Sequence, residues 1–267
     1  MTRPMAWPWE RFEAIAHRGG AWEAPENSRM AFRRAVDLGF TYLETDVRAT
    51  TDGVAVVFHD AALDRTTSIS GVIRDLPWSR VRSARIHGRQ PIMSLTELLE
   101  EFPETRFNLD LKEGNAVAPF VEVVRRMNAW QRIVVGSFSH QRLQQARRIG
   151  GPRLATSQSP KEVTRLWLAA RGRGGRYRPP PAACVQVPPT FGGRTIVEPG
   201  LIRLAHAIGW HVHVWTIDSA ATMNALIDVG ADGIMTDRPT LLREVLRQRG
   251  LWHSSTPATK AKSAPSA

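Results

Sequence analysis

Short apolar runs rich in β-branched residues alternate along the chain with longer stretches whose apolar positions recur every three or four residues. The runs at 13–17, 41–47, 106–112, 132–137, 152–156, 183–187, 211–216 and 232–236 read as strands. The stretches at 27–38, 95–102, 116–129, 139–149, 160–170, 197–208, 219–229 and 239–248 read as amphipathic helices. In the first helix Ala31, Ala35 and Leu38 share a face, Gly39 supplies the stop, and Asn27 or Ser28 can cap the start. Eight strands alternating with eight helices predict an α/β fold, a (β/α)8 TIM barrel, in one domain over 10–250.

One strand is left over, VAVVFH at 54–59. The link from Asp46 to Val54 is too short for a parallel crossover, so the pattern predicts an extra antiparallel hairpin strand with Asp52-Gly53 in its turn. Such a strand brings His59 back beside Asp46. From Asp60 to Ser94 no clear period follows, and a small insertion at about 60–94, serving as a substrate cover, is expected there.

The strands also carry charge where a barrel should be apolar. Glu44 and Asp46 sit on alternate residues and so face the same way. Buried together, they need a cation, or one must take up a proton. An edge strand with its polar face outward would explain them too, but a closed barrel has no free edge. Asp110 and Lys112 repeat the device in RFNLDLK, at the C-terminal strand end where barrels of this kind carry their active sites. His17 and Arg18 end the first strand before Gly19-Gly20. An all-oxygen ligand set without cysteine suits Mg²⁺ or Ca²⁺, with Mn²⁺ also possible, better than Zn²⁺. Trp215 ends its strand at the same rim, where it walls a substrate or fills the barrel mouth. His211 and His213 mimic a zinc-binding pair, but they open their strand and fall toward the opposite end.

Composition narrows the class. With 42% hydrophobic and 23% charged residues the chain is ordinary globular material. The segment 253–267 has almost no large apolar residues and is expected to be a disordered tail. No apolar leader opens the chain and no run is long enough to span a bilayer, which predicts a cytoplasmic protein without stable membrane insertion. Cys184 is alone in an apolar run and reads as a core residue. The net charge of +11 invites a nucleic-acid partner, but only four of the 36 basic residues are lysine and the arginines are scattered. That is a chain-wide bias, so no nucleic-acid partner is expected. The densest cluster, RGRGGRYRPPP at 171–181, reads as a solvated connector, with an anion-binding patch as the alternative. Lys112 is the only lysine in the first 160 residues, which marks a position where an ammonium matters.

These residues stand in a set of motifs: HRG at 17–19, PENS at 25–28, ETDV at 44–47, TDG at 51–53, VVFHD at 56–60 and LDRTT at 63–67. LDLK at 109–112, SF at 137–138, WTID at 215–218 and GIMTDRP at 233–239 follow. In this order the chain resembles the glycerophosphodiester phosphodiesterase family, a branch of the phosphodiesterase barrels. The resemblance implies a metal held by Glu44, Asp46 and the acidic residue of LDLK, Asp110. It implies His17 and His59 as the acid–base pair, with Arg18 and Lys112 on the phosphate. The family usually has glutamate at Asp110 and threonine at Ser28. The implied reaction cleaves a small glycerophosphodiester to sn-glycerol 3-phosphate and an alcohol, with water or the glycerol 2-hydroxyl as nucleophile. Two rivals remain: a lysophospholipase D-like enzyme, which needs an apolar patch for an acyl chain, and a non-catalytic anion- or nucleic-acid-binding protein.

Overall fold

A computed structural model of the chain describes residues 9, 12–173 and 177–252, and the tail expected at 253–267 lies outside them. The eight parallel strands are β1 (Glu13–Ala16), β2 (Tyr42–Ala49), β3 (Arg106–Leu111), β4 (Ile133–Gly136), β5 (Ala155–Thr156), β6 (Cys184–Val187), β7 (His211–Val214) and β8 (Gly233–Thr236). Each pairs with its successor from β1 to β5 and from β6 to β8, and β8 pairs with β1. Between β5 and β6 a hydrogen bond from Ala183 N–H to the Thr156 carbonyl, 2.7 Å, spans the seam. The expected barrel is present, nearly closed.

Helices α1 (Arg29–Asp37), α2 (Leu95–Glu101), α3 (Val117–Arg126), α4 (His140–Gly150), α5 (Pro160–Ala169), α6 (Pro199–Ile208), α7 (Ala220–Val229) and α8 (Pro239–Gln248) follow the strands in turn. Local chemistry sets their starts. Ser28 caps α1 by accepting from Ala31 N–H, while Ser94 with Glu97 and Ser159 with Glu162 close capping boxes on α2 and α5. Proline occupies the first turn of α5, α6 and α8, where its missing N–H costs nothing.

Strand alternation divides the apolar residues into layers. Leu43, Val47, Phe107 and Leu109 point outward and pack with Phe32, Leu98 and Phe120 of the helices in the main core. Ile15, Tyr42 and Met235 turn inward as one lumen cluster, and Val134, Ala155 and Cys184 as another; Trp9 packs against both. The extra strand is Ala55–Val57, antiparallel to β2 with Val57 opposite Val47, and its turn carries Gly53 at φ 78°. The segment after it builds a core of its own. Leu63, Ile73, Val81, Ile86 and Ile92 bury against Val56 and Phe58.

Candidate active site

The inward face of β2 carries Tyr42, Glu44 and Asp46, and the ladder sets Asp46 beside Asp110 of β3. Glu44, Asp46 and Asp110 are all buried. Lys112 reaches between the two aspartates, its Nζ 2.8 Å from Asp46 Oδ1 and 2.6 Å from Asp110 Oδ2. Burial opposes the charge on Lys112, but Asp46 and Asp110 outweigh it and hold the ammonium above the ordinary lysine range. Burial likewise opposes the charge on Asp46, and Lys112 and Arg18 keep its carboxyl below the usual range. Glu44 has weaker support: burial, then the neighbouring Asp46 charge, outweigh His17, Lys112 and Arg18 and push it up to about 7.

Two imidazoles stand beside these carboxylates, each held by a carboxylate of its own. His17 Nδ1 lies 2.7 Å from Asp237 Oδ1, and its Nε2 lies 3.7 Å from Glu44 Oε2. Burial works against protonation of His17, but Glu44 and Asp237 overcome it and raise its pKa. His59 Nδ1 lies 2.6 Å from Asp60 Oδ1, and Arg65 in turn holds Asp60. With Nδ1–H given to a carboxylate, each ring keeps Nε2 for other chemistry.

The turn after β1 explains HRGG and PENS together. Arg18 itself takes a left-handed backbone at φ 50°, which lets its N–H donate to Glu44 Oε2 at 3.1 Å. A Cβ on Gly19 would meet Ala31 at 2.8 Å, so α1 can approach only a glycine here. The Arg18 guanidinium lies 3.3 Å from Asp46 Oδ2 and donates to Glu26 at 3.2 Å. Asn27 does not cap α1. Its amide donates to Asp46 Oδ2 at 2.9 Å and its carbonyl accepts from Thr45 Oγ1 at 2.6 Å, which fixes the Asp46 carboxylate.

The sequence-derived residues His17, Arg18, Glu44, Asp46, His59, Asp110, Lys112 and Trp215 all line one cavity of about 630 Å³. Much of the remaining wall is apolar, with Phe138, Val163, Trp167, Phe191, Ile196 and Trp215, and Phe138 stands 5.8 Å from Lys112 Nζ. Phe191 belongs to a two-stranded hairpin, Thr190–Phe191 with Arg194–Thr195, which periodicity could not announce because its ladder is two residues long. Asp237 and Asp60 lay within quoted motifs, yet only proximity to an imidazole reveals what they do. The insertion corrects an expectation: no residue of 60–94 lines this cavity, because its apolar side chains turn into its own core. At its start Asp60 holds His59, and Arg65 braces Asp60 and Glu26 at the site's edge. His211 stacks on Trp9 and His213 is buried in the lumen, where burial and then His211 lower it to about 3.

Among the described residues no group of three or more His, Cys, Asp and Glu side chains is drawn together as a metal centre, since Lys112 stands between Asp46 and Asp110. The donor set still suits a hard cation. Glu44 and Asp46 are buried oxygen donors on one strand face, and Asp110 Oδ1 is buried without a hydrogen-bond partner.

A model of the glycerophosphoryl diester phosphodiesterase family matches residues 17–241. The chain is 43% identical over 244 residues to a probable glycerophosphodiester phosphodiesterase 2 of Mycobacterium tuberculosis, covering 90% of this chain and 92% of the relative. It is 28% identical to a lysophospholipase D of Rattus norvegicus, covering 87% of this chain and 85% of the relative. Among solved structures it resembles an Oleispira antarctica phosphodiesterase in complex with the product sn-glycerol-3-phosphate. That match has a TM-score of 0.71 and 23% identity, covering 88% of this chain and 96% of the other.

Proposed function

The chain belongs to the glycerophosphoryl diester phosphodiesterase family, and from that premise we propose that it cleaves glycerophosphodiesters to sn-glycerol 3-phosphate and an alcohol with His17 and His59 as its acid–base pair. One observation carries the reading: two carboxylate-held imidazoles, a guanidinium and an ammonium converge on three buried carboxylates at one end of a cavity. Glu44 and Asp46, with Asp110 beside them, are the residues to hold Mg²⁺, Ca²⁺ or Mn²⁺, which when bound adds Lewis-acid charge at the phosphoryl oxygens. Arg18 and Lys112 bring positive charge to the same oxygens and favour the transition state as charge builds there. Asp237 and Asp60 fix the tautomers of His17 and His59, so one imidazole can accept the nucleophile's proton while the other protonates the departing alkoxide. Trp215, packed against Phe138, walls the substrate beside the phosphate site.

The test is release of sn-glycerol 3-phosphate from a panel of glycerophosphodiesters, with chelator and after adding back each metal. Release that stops with chelator and returns with one of the three cations supports the reading. Turnover indifferent to exhaustive chelation rejects the metal, and no release from any diester rejects the activity.

The apolar part of the cavity wall favours a second reading, hydrolysis of lysophospholipids. Two of its aromatic rings, Phe138 and Trp167, are poorly suited to a choline cage because protein cations already sit over them. Lys112 Nζ is 5.8 Å from the Phe138 ring centre, and the guanidinium carbons of Arg171 and Arg194 lie 3.4 and 5.9 Å from that of Trp167. An uncharged hydrocarbon chain suits such a wall better. Comparing kcat/KM on lysophosphatidylcholine with that on glycerophosphocholine separates the two readings: a ratio above one selects the lysolipid, a ratio far below one the small diester.

A further inference from the structure

We propose that the barrel rim bearing Trp22, Phe138 and Phe191 is a docking surface for an anionic lipid bilayer. Large apolar side chains are well exposed at few places among the described residues, and three of them are aromatics 68%, 63% and 74% exposed: Trp22, Phe138 and Phe191. They occupy the loops after β1, β4 and β6, so all three belong to the rim on which the cavity opens. Exposed aromatics on one rim, two of them at the cavity itself, mark an interaction surface.

Phe191 is held out by a built device. Gly192 and Gly193 turn the hairpin at φ 56° and 73°, and Trp167 Nε1–H and the Arg171 guanidinium both donate to the Thr195 carbonyl, at 3.1 and 3.3 Å. The hairpin is therefore pinned at its base while Phe191 stays in solvent.

Charge names the partner. Arg194 is the cross-strand partner of Phe191, and Arg238 lies 5.2 Å from the Trp22 ring centre. Arg238 donates to the Asp218 carbonyl and Arg194 lies near the Trp167 ring, but among the described residues neither faces a carboxylate, so neither charge is neutralised. Between Pro160 and Glu198 the chain has seven basic residues against two carboxylates, Glu162, which Arg147 already holds, and Glu198, which pairs with Arg171, so basic residues remain in excess there. Aromatic rings flanked by arginines suit the boundary between headgroups and acyl chains, where the ring enters the apolar region and the guanidinium meets lipid phosphate. The contact is peripheral, since no helix of the described residues is long and apolar enough to cross a membrane. It would set the cavity mouth against the bilayer.

The test is flotation of the full chain with vesicles of equal parts phosphatidylglycerol and phosphatidylcholine, and with phosphatidylcholine alone. The wild type is expected to float with the anionic vesicles, weakly or not at all with the neutral ones, and less as salt rises. Phe191→Ser should lower the partition coefficient about tenfold and Arg194→Ser about fivefold. The double variant Arg89→Ser/Arg247→Ser, which removes exposed charge from the insertion and the end of α8, should change it less than twofold. Absence of flotation at low salt overturns the proposal. Equal losses in the control variant, or full binding by Phe191→Ser, also overturn it, by reducing the effect to net charge. Tighter retention on single-stranded DNA than on vesicles, sensitive to the same two residues, would reassign the face to nucleic acid. Because binding is read without turnover, its failure leaves the diesterase reading untouched, and the reverse holds as well.

Discussion

The two ends of the barrel lumen bury charge in opposite ways. At the N-terminal end Arg106 grips Glu13 with two parallel bonds, 2.9 and 2.8 Å, and lies 5.1 Å from the Tyr42 ring centre. One fork meets one carboxylate, the arrangement that best offsets desolvation. At the C-terminal end three buried carboxylates share Lys112 and Arg18, and Glu44 is left with a pKa near 7. The first end matches one cation to one carboxylate; the second leaves three buried carboxylates to share Lys112 and Arg18. Strand β3 supplies charge to both, Arg106 facing Glu13 of β1 at one end and Asp110 facing Asp46 of β2 at the other, so the difference lies in how the partners are matched and not in how many charges are buried.

The largest expected effect tests whether the upper end is catalytic. His17→Ala and His59→Ala should each lower kcat on glycerophosphocholine by ~10²–10⁴ with the thermal midpoint nearly unchanged. A variant that keeps near-wild-type kcat removes that histidine from the acid–base pair. The converse change sits at the lower end. Arg106→Met leaves Glu13 buried without its fork and should cost about 3–5 kcal/mol in denaturant unfolding, while kcat of the folded fraction stays within a few fold. Loss of kcat with stability intact would break the comparison.

Lys112→Arg sharpens it. The ammonium fits as a point charge between Asp46 and Asp110, where the wide planar guanidinium cannot sit. Lys112→Arg should lose about as much as Lys112→Met, roughly a hundredfold in kcat or ~3 kcal/mol of barrier. An arginine variant within about threefold of wild type would return Lys112 to a structural salt bridge.

The smallest effect is a pH dependence of stability in chelated protein. Glu44 has its folded pKa raised from 4.5 to about 7, so the folded state holds the extra proton between those values. Its contribution is fully present below about pH 4.5 and is lost as pH rises through about 7. The loss is on the order of 3 kcal/mol. Thermal midpoints of chelated protein should therefore fall over that window, and Glu44→Gln or added divalent cation should flatten the fall. A wild-type curve as flat as that of Glu44→Gln would mean that Glu44 is not the uncompensated charge.

Much of the barrel was legible because its physics is local. Period-two and period-3.6 patterns survive in single segments, and the hairpin followed from a link too short to cross over. The facing of Glu44 with Asp46, and of Asp110 with Lys112, is a property of any strand and needed no tertiary information. The insertion misled because a long aperiodic connection at a rim has the same sequence signature whether it covers a cavity or packs on itself.

The sequence by itself determined the order of strands and helices, the parity that turns charge inward on β2 and β3, and the glycines that let Arg18 adopt its turn. Only the tertiary structure decided which carboxylate holds which imidazole. Asp237 lies 220 residues from His17, and no local pattern encodes a contact made by closing β8 onto β1. It also decided that Asn27 serves Asp46 instead of capping α1, and that a two-residue ladder carries Phe191 to the cavity. Hydrogen bonds and ion pairs act over about 3 Å whatever the separation along the chain. Partners of that kind exist only once the barrel has closed.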